Sequence, residues 1–189
     1  MRVLTWYAEA MIVTLEPVRW PDDAERVIEF LLADEWPFHG TPRLTRELAA
    51  HIVVSDDDVV SFWVQVDQRA AGLIRVFDLC DLEVGSPLLD IRLVENQRGR
   101  GIGSIAVRLL TDHLFTTYPE LMRIESTTRH DNIAMHRVFD RCGYRQEGRL
   151  AEAWASADRT RSDTLIFAML RREWAHGSRN LTVTDASDR

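Results

Sequence analysis

Lysine is absent from this chain: all 23 basic side chains are arginine, set against 30 acidic ones for a net charge of −7. That balance argues against a nucleic-acid surface, which needs a clustered basic face, so no nucleic-acid partner is expected. Cysteine is almost absent too. Cys80 and Cys142 have neither the spacing of a zinc or redox site nor that of an extracellular disulfide framework, so a reducing, cytoplasmic setting without a metal centre is expected. No apolar run approaches bilayer length, and Glu9 interrupts the N-terminal stretch where a secretory core would lie, so no membrane partner is expected.

What is present suits one domain. The chain has 189 residues, 46% of them apolar, and six tryptophans, enough to bury one core without staples. Apolar alternation or short apolar runs predict strands at Met11 to Leu15, Val59 to Val66, Ala70 to Phe77, Leu88 to Val94, Arg123 to Thr128, Arg145 to Ala155 and Thr164 to Leu170. Helical spacing predicts four helices. The first is capped at Asp22 with Glu25 three residues on; the others run from about Thr45 to Val54, from Ile102 to about Tyr118, and from Asn132 to Cys142, where Gly143 ends the last. The core is expected over about residues 12–174, with 1–10 as an extension or an upstream start before Met11, and 177–189 as a frayed Ser/Thr/Asp-rich tail.

One segment carries chemistry. Leu88 to Val94 is followed by Arg98-Gly99-Arg100-Gly101-Ile102-Gly103-Ser104 and then by an amphipathic helix. Glycines let backbone approach a ligand and take positive φ, and the free N–H groups of a helix's first turn attract an anion. Arg98 and Arg100 add forked donors suited to phosphate oxygens. The segment therefore reads as a diphosphate cradle. Gly101-x-Gly103-x-x-Ala106 also satisfies the dinucleotide fingerprint, with Glu125 about twenty residues on, so an oxidoreductase using NAD(P) is one reading. Against it, Glu95 to Arg100 separate the strand from the fingerprint turn, and that turn normally follows its strand at once.

The same residues resemble the pyrophosphate motif Q/R-x-x-G-x-G/A of the GNAT superfamily of acyl-CoA-dependent N-acetyltransferases, here Arg98 to Gly103. Asn132-Ile133-Ala134 through Gly143-Tyr144 is similar to the family's next helix, and Gln146 to Leu150 with Asp163 resembles the branch of ribosomal-protein N-terminal acetyltransferases. The resemblance implies an α/β fold in the α+β sense: a mixed, mostly antiparallel central sheet of about seven strands flanked by about four helices. It implies acetyl-CoA as co-substrate and direct attack on the thioester by a primary amine of a small molecule or a protein N-terminus. Assembly as a homodimer is compatible with it.

By the same resemblance, Ile91 and Leu93 would pair with the pantetheine amides, and the backbone N–H of Leu93 or Val94 would stabilise the oxyanion. Asn132 would contact the cofactor, or it is simply a helix cap. Where many members carry a proton-donating tyrosine, this chain has Phe139, which leaves open a non-catalytic acyl-CoA-binding module. Candidate bases are Asp90, Glu83, Glu35 and His39. Asp90 stands out because a carboxylate inside an apolar strand must be paired or functional; Arg92 and Arg75 are its candidate ion-pair partners. Histidine is a residue type suited to moving a proton near neutral pH, but His39 sits in a loop, where exposed or capping histidines are common. Trp36 and Phe38 line an acceptor pocket or cover the core. The negative net charge weakly favours a cationic acceptor, and serves solubility equally well.

Overall fold

The seven expected strands form close to their expected bounds, and they build one sheet. The computed structural model describes residues 4–8, 11–53, 58–80, 82 and 85–177. Along the chain run β1 (Leu4–Ala8), β2 (Met11–Pro17), α1 (Ala24–Leu32), α2 (Arg46–Ile52), β3 (Val60–Val66), β4 (Arg69–Phe77), β5 (Leu88–Leu93), α3 (Ile102–Thr117), β6 (Arg123–Arg129), α4 (Ile133–Arg141), β7 (Arg145–Ala155), β8 (Arg161–Leu170) and α5 (Arg171–Gly177). The eight strands form one sheet in the order β1-β2-β3-β4-β5-β6-β8-β7. Every pairing is antiparallel except β5 with β6.

Both sheet faces are covered, which is why β3 and β4 are buried along most of their length. On one face Ile102, Ala106, Leu110 and Leu114 of α3, with Phe139 of α4, pack on Leu15, Val64, Ile74 and Leu89. On the other, Val27 and Leu31 of α1 and Ala49 of α2 pack on Trp63 and Leu73. The tight β3–β4 turn carries positive φ at both Asp67 and Gln68, the geometry that matches strand twist in two-residue hairpins. Asp67 also accepts the Ile12 N–H through Oδ1 at 3.0 Å, tying the turn to β2.

Several details depart from the expected map. The segment before Met11 contributes β1, which pairs with β2 from Leu4↔Leu15 to Ala8↔Met11. A fifth helix, α5, follows β8, with Trp174 against Phe115 at a centroid distance of 5.2 Å. The capping box at Asp22 and Glu25 does not form: the cap residue is Asp23, whose side chain accepts from the Arg19 N–H instead. Glu25 binds Arg46 across the α1–α2 pair at 2.7 Å. Apart from Gly177, the expected tail lies outside the described residues, and no helix among those described is long and apolar enough to cross a membrane.

Candidate active site

The site begins where β5 and β6 part. Their parallel pairing consists of a single register pair, Leu88↔Glu125, supported by the Glu125 N–H on Pro87 O at 2.9 Å and Ser126 Oγ on Leu89 O at 3.1 Å. On the other side β5 pairs with β4 along its whole length, and Val94 N–H continues that ladder to Ala71 O at 3.0 Å. Backbone groups alternate sides in an antiparallel ladder. If Val94 faces β4, then Ile91 and Leu93 turn their amide groups toward the opening.

Past β5 the chain makes a single 3-10 turn, Glu95–Gln97, then passes Gly99 at φ 74° and Gly101 at φ 83° into α3. A Cβ on Gly99 or Gly101 would meet nothing within 4 Å, so the space over both is open. Ser104, in the first turn of α3, buries an Oγ that finds no hydrogen-bond partner among the described residues. A buried hydroxyl without a partner, beside free helix N–H groups and open glycines, suits the oxygens of a diphosphate.

A cleft of about 320 Å³ joins this cradle to the opposite sheet face. Its cradle end includes Gly99, Gly101, Ser104 and the α4 residues Met135, Arg137, Val138 and Arg141; its far end includes Trp36, Phe38, His39 and Arg92. There His39 reaches from the α1–α2 connection to place Nε2 2.8 Å from Asp90 Oδ1. An ionised carboxylate only accepts, so Nε2 carries the hydrogen and a neutral ring keeps its lone pair on Nδ1. Nδ1 is buried and has no partner among the described residues. Burial pushes the Asp90 carboxyl up, but the contact with His39 and the charges of Arg92 and Arg75 outweigh it and hold the group well below the usual carboxylate range.

The match of sequence to family is as clear as this geometry. Residues 13–145 match the family model described as an acetyltransferase (GNAT) domain. The chain belongs to the GNAT acetyltransferase family. It is therefore an acetyltransferase, with acetyl-CoA as its acyl donor. No curated protein matches its sequence. Solved structures of the same fold include Mycobacterium smegmatis RimJ in complex with CoA-disulfide, at 24% identity over 90% of this chain and 88% of that one, with a TM-score of 0.74. They also include the spermidine N-acetyltransferase of Vibrio cholerae in complex with CoA and spermine, at 17% identity over 86% and 98%, TM-score 0.70. RimL, a ribosomal alpha-N-protein acetyltransferase in complex with coenzyme A, is a third, at 15% identity over 89% and 98%, TM-score 0.71.

Within this GNAT framework the site residues fall into three groups. Ile91, Leu93, Gly99, Gly101, Gly103, Ser104 and Asn132 all border the cleft, while Ile102 is wholly buried in the core. Of the two expected oxyanion donors, Val94 already donates to Ala71, which leaves Leu93. Gly103 has a packing reason: a Cβ there would come 3.3 Å from Val138 Cγ2 of α4. Asn132 caps α4, its side chain accepting from Met135 N–H at 3.2 Å while Nδ2 donates to Thr128.

The second group is engaged elsewhere. Arg98 lines the cleft but donates through Nε to Leu93 O at 2.8 Å and through Nη2 to Glu35 O at 2.7 Å, bracing the α1–α2 connection against β5. Arg100 donates to Gln97 Oε1 at 2.6 Å. The Glu35 carboxylate lies at the surface, paired with Arg43. Phe139 is 0% exposed, stacked on Phe167 at 4.7 Å, and does not border the cleft. Its ring is part of the core, so no missing acid follows from it. Glu83 lies outside the described residues.

The third group was not foreseen. Arg137 and Arg141, one helical turn apart on α4, bring two further guanidiniums to the cradle end. Gly72 of β4 has a Cβ position only 2.5 Å from Arg92 O and from Leu93 Cδ2, so the strand that shapes the cleft needs glycine there. A lone glycine inside an apolar strand was the available signal.

Proposed function

We propose that the protein transfers the acetyl group of acetyl-CoA to a primary amine by direct attack on the thioester, with His39 as the proton acceptor and Asp90 as the group that positions it. The observation that carries this reading is one cleft with an anion cradle at one end and, at the other, a histidine whose buried Nδ1 has no partner among the described residues. Spermidine and ribosomal-protein acetyltransferases among the proteins of like fold act on amines, which supports the acceptor class.

Acetyl-CoA supplies an acetyl group activated as a thioester. Ser104 Oγ, the first-turn N–H groups of α3, and Arg137 and Arg141 would hold its phosphates. Ile91 and Leu93 present strand-like backbone groups to its amide-bearing arm, as an added strand would meet them. The Leu93 N–H faces the charge that grows on the carbonyl oxygen. An ammonium must lose a proton before its nitrogen can attack, and His39 Nδ1 takes it. The nitrogen then bonds to the acetyl carbon, the carbon–sulfur bond breaks, and the second proton the nitrogen sheds passes to the departing thiolate, leaving the N-acetyl product and the thiol of CoA.

Asp90 itself is a poor proton acceptor, because its neighbours hold it ionised far below neutral pH. Its carboxylate instead fixes the ring and favours the imidazolium once formed. The acceptor is a small molecule or a protein N-terminus, with action in the cytoplasm as part of the same reading. A screen of primary amines for acetyl-CoA-dependent thiol release tests it. Release with at least one amine is expected. Tight CoA binding with no release for any amine would favour the binding-module alternative.

A further inference from the structure

The geometry points to a carboxylate subsite at Arg92: the amine acceptor carries a carboxylate beside its amine, and the Arg92 guanidinium receives it. This rests on the acetyl-transfer reading above and names the acceptor's chemical class.

Side chains alternate between the two faces along β5. Leu89, Ile91 and Leu93 face α3, whereas Asp90 and Arg92 face Trp36 and the α1–α2 connection. Arg92 borders the cleft, and its side chain is only 9% exposed. Its Nε lies 3.4 Å from Asp90 Oδ2, and its Cζ sits 5.6 Å from the Trp36 ring centre, so the guanidinium is held in place. Its Nη1 is nevertheless buried with no partner among the described residues. A charged donor in that state is one of the costlier defects a fold can carry, and native structures give such a group a partner.

The surrounding charges say which partner. Arg75 is buried and stands directly opposite Asp90 in the β4–β5 register. Two buried guanidiniums therefore share one carboxylate, which also accepts from His39. Arg98, the other arginine near Trp36, is balanced by Asp34 at 3.6 Å. Among the described residues the acceptor end thus holds a surplus positive charge in a half-buried place, where an uncompensated ion is unfavourable. A carboxylate supplies the missing charge and matches the forked donors of an arginine.

Spacing ties the carboxylate to the amine. His39 and Arg92 lean on the two oxygens of one carboxylate, Oδ1 and Oδ2 of Asp90. A ligand whose nitrogen meets His39 therefore carries its anionic group close by, as an amino acid does. A peptide N-terminus offers only a neutral carbonyl at that place, and a polyamine would bring a second cation toward Arg92 and Arg75.

The test uses the full-length protein and three matched acceptor sets in the thiol-release assay: free amino acids, their carboxamides or peptides with the same first residue, and spermine. Free amino acids are expected to exceed their carboxamides by ten- to a hundredfold in kcat/KM, the range for one charge-assisted contact. Arg92→Gln is expected to erase that preference by raising KM for the amino acid while leaving KM for acetyl-CoA unchanged. If Arg92→Gln does not fold, the wild-type ratio of acid to amide still decides. Equal or better turnover of amides, peptides or spermine overturns the carboxylate subsite and leaves acetyl transfer standing. Turnover of none of them removes both.

Discussion

His39 and Asp90, 51 positions apart in sequence, meet at 2.8 Å between Nε2 and Oδ1. The contact joins the α1–α2 connection to β5 at the point where the sheet begins to open. Because the folded Asp90 carboxyl is held below its unfolded value, its ionised form contributes stability that is fully present above about pH 4, the unfolded carboxylate value. That contribution drains away as the pH falls further toward the depressed folded value.

Asp90→Asn is accordingly expected to be less stable than wild type at pH 7, with the gap closing as the pH is lowered below about 4. Urea unfolding at a series of pH values measures this. The same variant is expected to lose kcat more than acetyl-CoA affinity, because an amide holds the His39 ring without favouring its protonated form. A gap that stays constant with pH would mean that Asp90 is not ionically coupled to His39, Arg92 and Arg75.

The two kinds of glycine at the cradle are expected to separate. Gly101 has φ 83° and open space where its Cβ would stand. Gly101→Val should therefore cost about 1–2 kcal/mol from the left-handed backbone and abolish CoA binding by filling the phosphate space. Gly103→Ala pushes instead on Val138 of α4 at 3.3 Å. It should lower thermal stability with a smaller effect on CoA affinity. Thermal-shift titration with CoA reads both; in wild type a hundredfold excess over Kd should add about 2.7 kcal/mol, and NAD should add nothing.

Gly72→Ala tests the β4–β5 approach. The new methyl group would come 2.5 Å from the Arg92 carbonyl oxygen, so backbone must move. A loss of about 1–3 kcal/mol is expected, as for other overpacked sites, together with reduced turnover because β5 carries Asp90, Arg92 and the Leu93 N–H. Calorimetry and steady-state kinetics on the same preparation check the pair of effects.

Much of the architecture was readable before the structure because its signals are local. The apolar runs of β3 and β4 on either side of a short polar turn, the helical stripe from Ile102 to Leu114, and Gly101 and Gly143 at helix ends each specify their own element. What could not be read depends on contacts distant in sequence. The last helix is fixed by Trp174 reaching Phe115 and donating to Asp112 Oδ1 at 2.6 Å. The Asp22 and Glu25 cap fails because both Asp23 and Glu25 find other partners. Arg98 looks like a phosphate ligand in its motif, yet the Glu35 carbonyl it binds is 63 positions away. Asp90 was legible as an anomaly, but its partner His39, 51 positions away, was not.

Phe139→Tyr checks that position 139 is core. The added hydroxyl would enter the packing against Phe167 and Tyr144, with an expected cost of about 1–3 kcal/mol if it finds no partner there. No gain in turnover is expected. A rise of a hundredfold, the size of general-acid catalysis, would place the residue beside the reacting sulfur after all.

The central claim, acetyl transfer to an amine with His39 taking the proton, is tested most directly by single-turnover reaction of enzyme-bound, isotopically labelled acetyl-CoA with an amine acceptor, across a range of pH, in wild type and His39→Gln. One labelled N-acetyl product per thiol released is expected. The wild-type rate should climb with pH, and the His39→Gln rate should fall by about a hundredfold or more with acetyl-CoA affinity retained. Label remaining on CoA with every amine, or equal rates in the two proteins, would contradict it.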